Sequence, residues 1–421
     1  MDTNISNNII LITRLADILS ANRENIIVAN TNDTLISFQA NADELDRAIT
    51  NLRNYHLTKD KVENQNIISG FAVMVPYNAA SYALFGMSLA AALMAFGNKK
   101  PIYIHFPSML KEYSEIIERI IGNDNLFSNI IFRHDSANEF ISSMLDNPDI
   151  SLVQVYGGAW IGKHISRAVE TRTSLIYEGL GNNAAILLND ANLSKSIDKI
   201  FEMAFTLNGQ AAVCFNRLII DNRLNKQMIE ELMLSKLENI NVSIDPFSKA
   251  LVTPIIKNII VDNAIENIKL AENRGAKILG LKVEKQPKGT LLYPTIIFDA
   301  KSDDLVWLND SFAPTLSVMF ADFNNIVDLC NISDCRMTAS IFGSDKNEIK
   351  ILKQKLKDKW EFILTNKTFI DKIKPNKGYI GKWGGKGKSY FYLAEETGWQ
   401  LSNIVHQPIE YFIKQKNSDN V

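Results

Sequence analysis

Tyr177–Arg217 reads YEGLGNNAAILLNDANLSKSIDKIFEMAFTLNGQAAVCFNR. The apolar run entering it stops at Glu178, where Gly179, Gly181 and the Asn182-Asn183 pair permit a tight turn. Glu178 is thereby expected at the end of a strand, a place where α/β sheets display reacting carboxylates. The plainer reading is an ordinary solvated carboxylate, since Glu is seldom buried. AAILL at 184–188 reads as the next strand, 193–208 as a helix, and Asn208-Gly209-Gln210 as a Gly-containing turn that ends it. A further strand is expected at 217–221.

Outward from this stretch the same alternation continues. Upstream, strands are expected at 69–75, 101–105, 128–133, 151–156 and 173–177, with helices at 80–97, 109–122, 136–146 and 160–170 between them. Strands separated by helices of 10–15 residues imply right-handed βαβ units and a parallel, doubly wound sheet, hence an α/β fold with a Rossmann-type domain. Two amphipathic helices, 4–22 and 42–56, precede it, carrying Leu15, Ile18, Leu19, Leu45, Ile49 and Leu52 at helical spacing. Downstream, helices near 223–238 and 261–273 extend a second strand-helix series to about residue 380. The division is therefore 1–180 for a cofactor domain with N-terminal helices, 181–380 for a catalytic domain, and 381–421 for a Gly-rich loop and arm.

The chain has 421 residues, enough for two or three domains with buried cores. Lys+Arg number 45 against 47 Asp+Glu, so no global field favours nucleic acid or an anionic membrane. Cys214, Cys330 and Cys335 fit neither a zinc pattern nor a disulfide framework, which points to a reduced, cytoplasmic protein. The N-terminal residues lack the basic and continuously apolar character of a signal peptide. The longest apolar stretch, Gly86 to Gly97, is shorter than the roughly 20 residues of a membrane span. His56, His134, His164 and His406 show no metal-ligand spacing, and no metal is expected. The lysines between Lys374 and Lys388 read as a solvated loop.

Taken together, the motifs resemble the aldehyde dehydrogenase superfamily. In that family a Glu-Leu-Gly-Gly-type motif is followed, 34 positions after the Glu, by the catalytic Cys of Gly-Gln-x-Cys. Val75-Pro76-Tyr77-Asn78 is similar to the family's Pro-Trp-Asn motif. PIYIHFPS, from Pro101, resembles its Lys-Pro-Ser-Glu cofactor strand. Tyr156-Gly157-Gly158-Ala159-Trp160-Ile161-Gly162 resembles its Thr-Gly-Ser-x-x-Val-Gly turn, where a helix N-terminus faces the cofactor pyrophosphate. Asn309-Asp310-Ser311-Phe312-Ala313-Pro314 is similar to Glu-Glu-x-Phe-Gly-Pro, and Lys382 to Ser389 to the Gly-rich element near the family's C-terminus.

The resemblance implies an NAD- or NADP-dependent oxidation of an aldehyde to a carboxylic acid. A thiolate attacks the aldehyde carbon while an amide donor holds the oxyanion, hydride leaves to the nicotinamide, and a carboxylate activates water against the thioester. Asn78 corresponds to the amide donor and Glu178 to the base. Cofactor contacts are implied at Val75, Pro76, Tyr77, His105, Phe106 and Ser108, at Gly157, Gly158 and Gly162 beside the pyrophosphate, and at Gly179, Asp310 and Phe312. Phe106 stands where the family often has Lys, and Met109 replaces the following Glu. NAD versus NADP is thus open, with NAD favoured and His105 the nearest group for a 2′-phosphate.

The position 34 residues beyond Glu178 is Ala212. A methyl group forms no covalent adduct, and three explanations stand: an engineered Cys-to-Ala form, a natural cofactor-binding protein without the chemistry, or Cys214 as alternative nucleophile. Against the last, two residues displace a sulfur by about 6–7 Å along an extended chain. GQAAVCFNR resembles the Gly-Gln-x-Cys-x-Cys-x-Asn-Arg form in which the first Cys reacts. An acyl-CoA or thioester reductase of the same fold is the enzymatic rival.

Tyr77, Trp160, Phe215 and Phe312 are candidates to face an apolar or aromatic aldehyde, with core packing equally open for Trp160 and Phe215. The resemblance implies a homodimer, although the chain is short before the Pro-Trp-Asn-like motif, where Lys59 to Ser69 replace a longer hairpin.

Overall fold

In the computed structural model the described residues are 3–55, 69–158, 161, 165, 174–333, 335–360 and 362–372. The expected helix at 160–170 apart from Ile161 and Ile165, with Trp160 and Gly162, three of the four histidines named above (all but His134), nearly all of the Lys59 to Ser69 stretch, and everything from Lys374 onward lie outside them.

Five strands make the first sheet: β1 Phe71–Met74, β2 Ile102–His105, β3 Ile130–Arg133, β4 Leu152–Tyr156 and β5 Ser174–Glu178. Their order is β3-β2-β1-β4-β5 and every pairing is parallel. Strand order reverses between β1 and β4. In such sheets the carboxyl ends of the two strands at the reversal open a crevice for a ligand. Those ends are Met74-Val75 and Tyr156-Gly157.

The helices follow from their apolar stripes. α1 Thr3–Ala21, α2 Arg23–Thr34 and α3 Phe38–Arg53 join one core with Phe71, Val73, Ile102 and Ile104 on one face of the sheet. Two helices were expected there and three are present. α2 escapes periodicity because its buried side includes Asn30, Thr31, Asp33 and Thr34, which are satisfied by bonds such as Asn30 to Asn41 at 3.0 Å and Thr34 to its own Asn30 carbonyl at 2.6 Å.

The expected helix 80–97 begins instead as a π-helix, Tyr82–Leu89, before α4 Ala90–Phe96. Ser88 Oγ and Tyr156 Oη both donate to the Ala83 carbonyl, at 2.9 and 3.3 Å, and hydroxyls inserted in the ladder widen a helix locally. α5 Lys111–Gly122 and α6 Ala137–Asp146 complete the layer structure. α6 opens on a capping box between Ser136 and Glu139.

Beyond β5 the chain enters a seven-stranded sheet through β6 Asn183–Leu187, with α7 Leu193–Phe205 and β7 Phe215–Asp221 next, then α8 Lys226–Glu238 and α9 Asn258–Asn273. β8 Lys277–Leu279, β11 Thr295–Phe298, β12 Thr315–Ala321, β13 Thr338–Phe342 and β14 Phe362–Thr365 fill the rest, in the order β14-β13-β6-β7-β12-β11-β8. Only β8 runs antiparallel to its neighbour. β9 Val283–Lys285 and β10 Thr290–Leu292 form a separate ribbon. All seven residues of β7 are buried, as expected for the centre of a parallel sheet covered on both faces.

The described residues contain no helix long and apolar enough to cross a membrane, and no cluster of three or more His, Cys, Asp or Glu suited to a metal.

Candidate active site

A cavity of about 910 Å³ opens at the carboxyl ends of β1 and β4 and runs to the start of β6. One wall carries Val75, Pro76, Tyr77 and Asn78, another Tyr156, Gly157, Gly158, Glu178 and Gly179, and a third Ala211, Ala212 and Val213. The sheet order brings the first two together. A turn and a side-chain strap bring in the third.

The strap is Asn183, fully buried at the start of β6. Its Nδ2 donates to the carbonyls of Ala212 and Cys214, at 2.7 and 2.9 Å, and its Oδ1 accepts from Thr338 N at 2.8 Å. Gly181 lets the turn lie on this loop, since a Cβ there would collide with the Ala212 carbonyl. α7 stops at Phe205, earlier than expected, because Leu207, Asn208 and Gly209 all take positive φ, at 50°, 60° and 72°. Gly209 is required there, for an added Cβ would strike the Ala313 carbonyl. The tight kink delivers Gln210 to Tyr77: Gln210 Nε2 donates to Tyr77 Oη at 2.7 Å. Asn78 Nδ2 donates to the Gln210 carbonyl.

Glu178 is 8% exposed, and its Oε1 has no hydrogen-bond partner. Burial alone pushes its carboxyl up to about 8, so it is largely protonated at neutral pH. Tyr156 lies beside it as its register partner across β4 and β5. The Tyr156 hydroxyl meets Ser88 Oγ at 3.0 Å and accepts from Gln154 Nε2 at 2.9 Å.

Cys214 does not reach the cavity. It is 1% exposed, its Sγ donates to the Thr206 carbonyl at 3.5 Å, and burial drives its thiol far above the ordinary range. The alternative-nucleophile reading is therefore corrected: the turn ending at Ala211 points residue 212 into the cavity and residue 214 into the core. No described cysteine lines the cavity. Phe215, a candidate to face substrate, is likewise fully buried among Leu218, Phe205 and Leu316.

The expected cofactor residues divide. Tyr77, His105, Ser108, Gly157, Gly158, Gly179 and Phe312 line the cavity with Val75 and Pro76. Phe106 turns away, 5% exposed, edge to face with Tyr113 at 5.9 Å and stacked on Phe132 at 6.2 Å, because alternate strand-end residues face opposite sides. Asp310 also turns away: its Oδ1 accepts from Asn216 Nδ2 and from Phe312 N, both at 2.8 Å. It holds Phe312 at a φ of 54° rather than facing the cavity. Its carboxyl is pushed up to about 7 by burial. Asn216 reaches it because the β6–β7 register slips between Asn183 and Ala184, leaving Asn216 as the extra residue.

His105 is buried, stacked on Phe140 at 5.0 Å, and Nε2 contacts the Asp135 carbonyl at 2.9 Å. A carbonyl only accepts, so Nε2 carries the proton and Nδ1 is left as an unpartnered acceptor. Desolvation lowers the imidazole's pKa and keeps it neutral.

Tyr156, Thr206, Lys257, Ile260, Arg336 and the Glu44–Arg47 pair also line the cavity and were not singled out from the sequence. Tyr156, directly before the glycine pair, was the one with a local signal. The others come from distant segments.

A family model described as the aldehyde dehydrogenase family matches residues 2–391. Among curated proteins, lactaldehyde dehydrogenase of Methanocaldococcus jannaschii is 24% identical over 61% of this chain and 55% of its own length. Chloroplastic betaine aldehyde dehydrogenase of Beta vulgaris is 25% identical over 65% of this chain and 52% of its own. The chain thus spans about half the length of these relatives. Among solved structures, NADP-dependent glyceraldehyde-3-phosphate dehydrogenase of Bacillus halodurans, complexed with NADP, superposes with a TM-score of 0.77 at 19% identity, covering 91% of this chain and 82% of that one. An NAD-dependent aldehyde dehydrogenase of Sinorhizobium meliloti gives 0.79 at 15%, covering 92% and 78%. At such identities the structures speak for the fold.

Proposed function

The chain belongs to the aldehyde dehydrogenase family, and from that premise we propose that its cavity binds NAD or NADP with an aldehyde but that, with Ala212 in place, it does not run oxidation through a thioester. The supporting observation is the sharing of one cavity by Asn78, Glu178 and the Ala212 backbone, with no described thiol on its walls.

The residues fit a dinucleotide. A Cβ at Gly158 would meet nothing within 4 Å, so the backbone there leaves room for a pyrophosphate. Tyr77 and Phe312 meet edge to face at 6.4 Å and form an aromatic wall. His105, buried and neutral on the cavity wall, offers a 2′-phosphate no charge, which favours NAD. Bound there, the oxidised nicotinamide supplies a hydride acceptor.

The chain's own groups then set the limits. Asn78 is the oxyanion donor in this reading. Glu178 serves as base only once deprotonated, on the alkaline side of neutrality. Ala212 supplies no attacking pair of electrons, so an aldehyde is held without being captured. The same reading takes the protein as a cytoplasmic homodimer, and light scattering tests its assembly. The cofactor assignment is tested by thermal melting with NAD+ and NADP+: a rise in Tm, larger with NAD+, is expected, and no rise with either would sink it.

A further inference from the structure

We propose that Lys257 is the anion-binding residue of this cavity, its ammonium placed over the Tyr77 ring to receive an anionic oxygen carried either by a nucleotide phosphate or by a carboxylate on the aldehyde. The inference rests on reading the cavity as a cofactor and aldehyde site. Lys257 Nζ stands 4.4 Å from the centroid of Tyr77, the residue next to Asn78, and Lys257 lines the same cavity.

The other arginines nearby are already engaged: Arg336, on the same cavity wall, is buried and donates to the Asn331 carbonyl at 2.8 Å. Arg47 pairs with Glu44 at 3.2 Å and Arg133 with Asp135 at 2.5 Å, while Glu178 is largely uncharged at neutral pH. Among the described residues no acidic side chain comes within 4.0 Å of Lys257. Its exposure at the cavity mouth leaves the ammonium reachable, yet the apolar wall around it is enough to lower its pKa. A ring face satisfies only one side of an ammonium. Its remaining N–H donors have no carboxylate and are open to a ligand. A cation partly stripped of water gains more from an anionic ligand than a surface lysine does.

The test uses the protein as it stands, whose Ala212 prevents turnover, so binding is read at equilibrium by calorimetry. Lys257→Met and Lys257→Arg are compared with the parent, with NAD+ and NADP+ in one arm and 4-oxobutanoate against butanal in the other. Unliganded melting of each variant shows that it is folded. Loss of about tenfold or more in nucleotide affinity in Lys257→Met, retained by Lys257→Arg, assigns the phosphate. A like loss for 4-oxobutanoate but not butanal assigns the substrate carboxylate. If the parent binds nucleotide and Lys257→Met binds both anionic probes equally well, the inference is overturned and the cofactor reading stands. If the parent binds no nucleotide but Lys257→Met loses 4-oxobutanoate, the cofactor reading falls and the inference stands. No binding of any anionic probe by the parent overturns both.

Discussion

The side-chain amide of Asn183 donates to the carbonyl of Ala212 at 2.7 Å, tying the first residue of β6 to the position proposed above to correspond to the family's nucleophile. The loop at 212 is therefore held by backbone contacts that do not depend on which side chain it carries.

Replacing Asn183 by Ala strands two carbonyls and the Thr338 N–H in the interior. We expect a loss of about 2–4 kcal/mol in urea denaturation. A change under 0.5 kcal/mol would mean that the strap is not structural.

Glu178 gives a pH-dependent stability with a defined sign. Its folded-state pKa of about 8 lies above the ordinary 4.5, so between those values the folded protein binds the extra proton and stability falls as pH rises. The slope approaches about 1.4 kcal/mol per pH unit for this one group. Glu178→Gln removes the titration. The gap between variant and parent should be smallest near pH 4, below the unfolded-state value of 4.5, and widen in the variant's favour toward pH 8. Parallel curves would place the Glu178 carboxyl in water.

The thiols make a separate test. Burial raises Cys214 far above its usual range and Cys330 to about 12, so neither should react with a thiol reagent in the folded protein. Ala212→Cys should add one fast-reacting thiol, read by mass spectrometry.

Arg217 is fully buried and donates to the carbonyls of Asn182, Leu329 and Cys330, between Trp307 and Trp360 at 5.7 and 5.8 Å. Arg217→Met leaves those acceptors unpaired beneath the turn that follows Glu178. It should cost about 3 kcal/mol or more, with cofactor binding weakened as well.

What the sequence made legible follows from how local each signal is. Strands such as Ile102–His105 and Leu152–Tyr156 are short apolar runs bounded by turn residues, and they stand within two residues of expectation. α2 was missed because its buried face is partly polar, and the π-helix because the hydroxyls that widen it come partly from Tyr156, across the sheet. That Asn78, Glu178 and residue 212 would meet in one cavity was legible through motif order. The outward turns of Phe106 and Asp310 were not, since they depend on strand parity and on a register slip at Asn216. Lys257 reaches Tyr77 only through the fold and left no trace in local sequence.

The central claim is that this cavity keeps its machinery apart from the thiol. Its most direct test is formation of reduced cofactor by the parent and by Ala212→Cys, each supplied with NAD+ and a panel of aldehydes. The account predicts a silent parent and a variant that reduces the cofactor, faster as pH rises toward and past 8 while Glu178 loses its proton. Equal rates in the two proteins would contradict it.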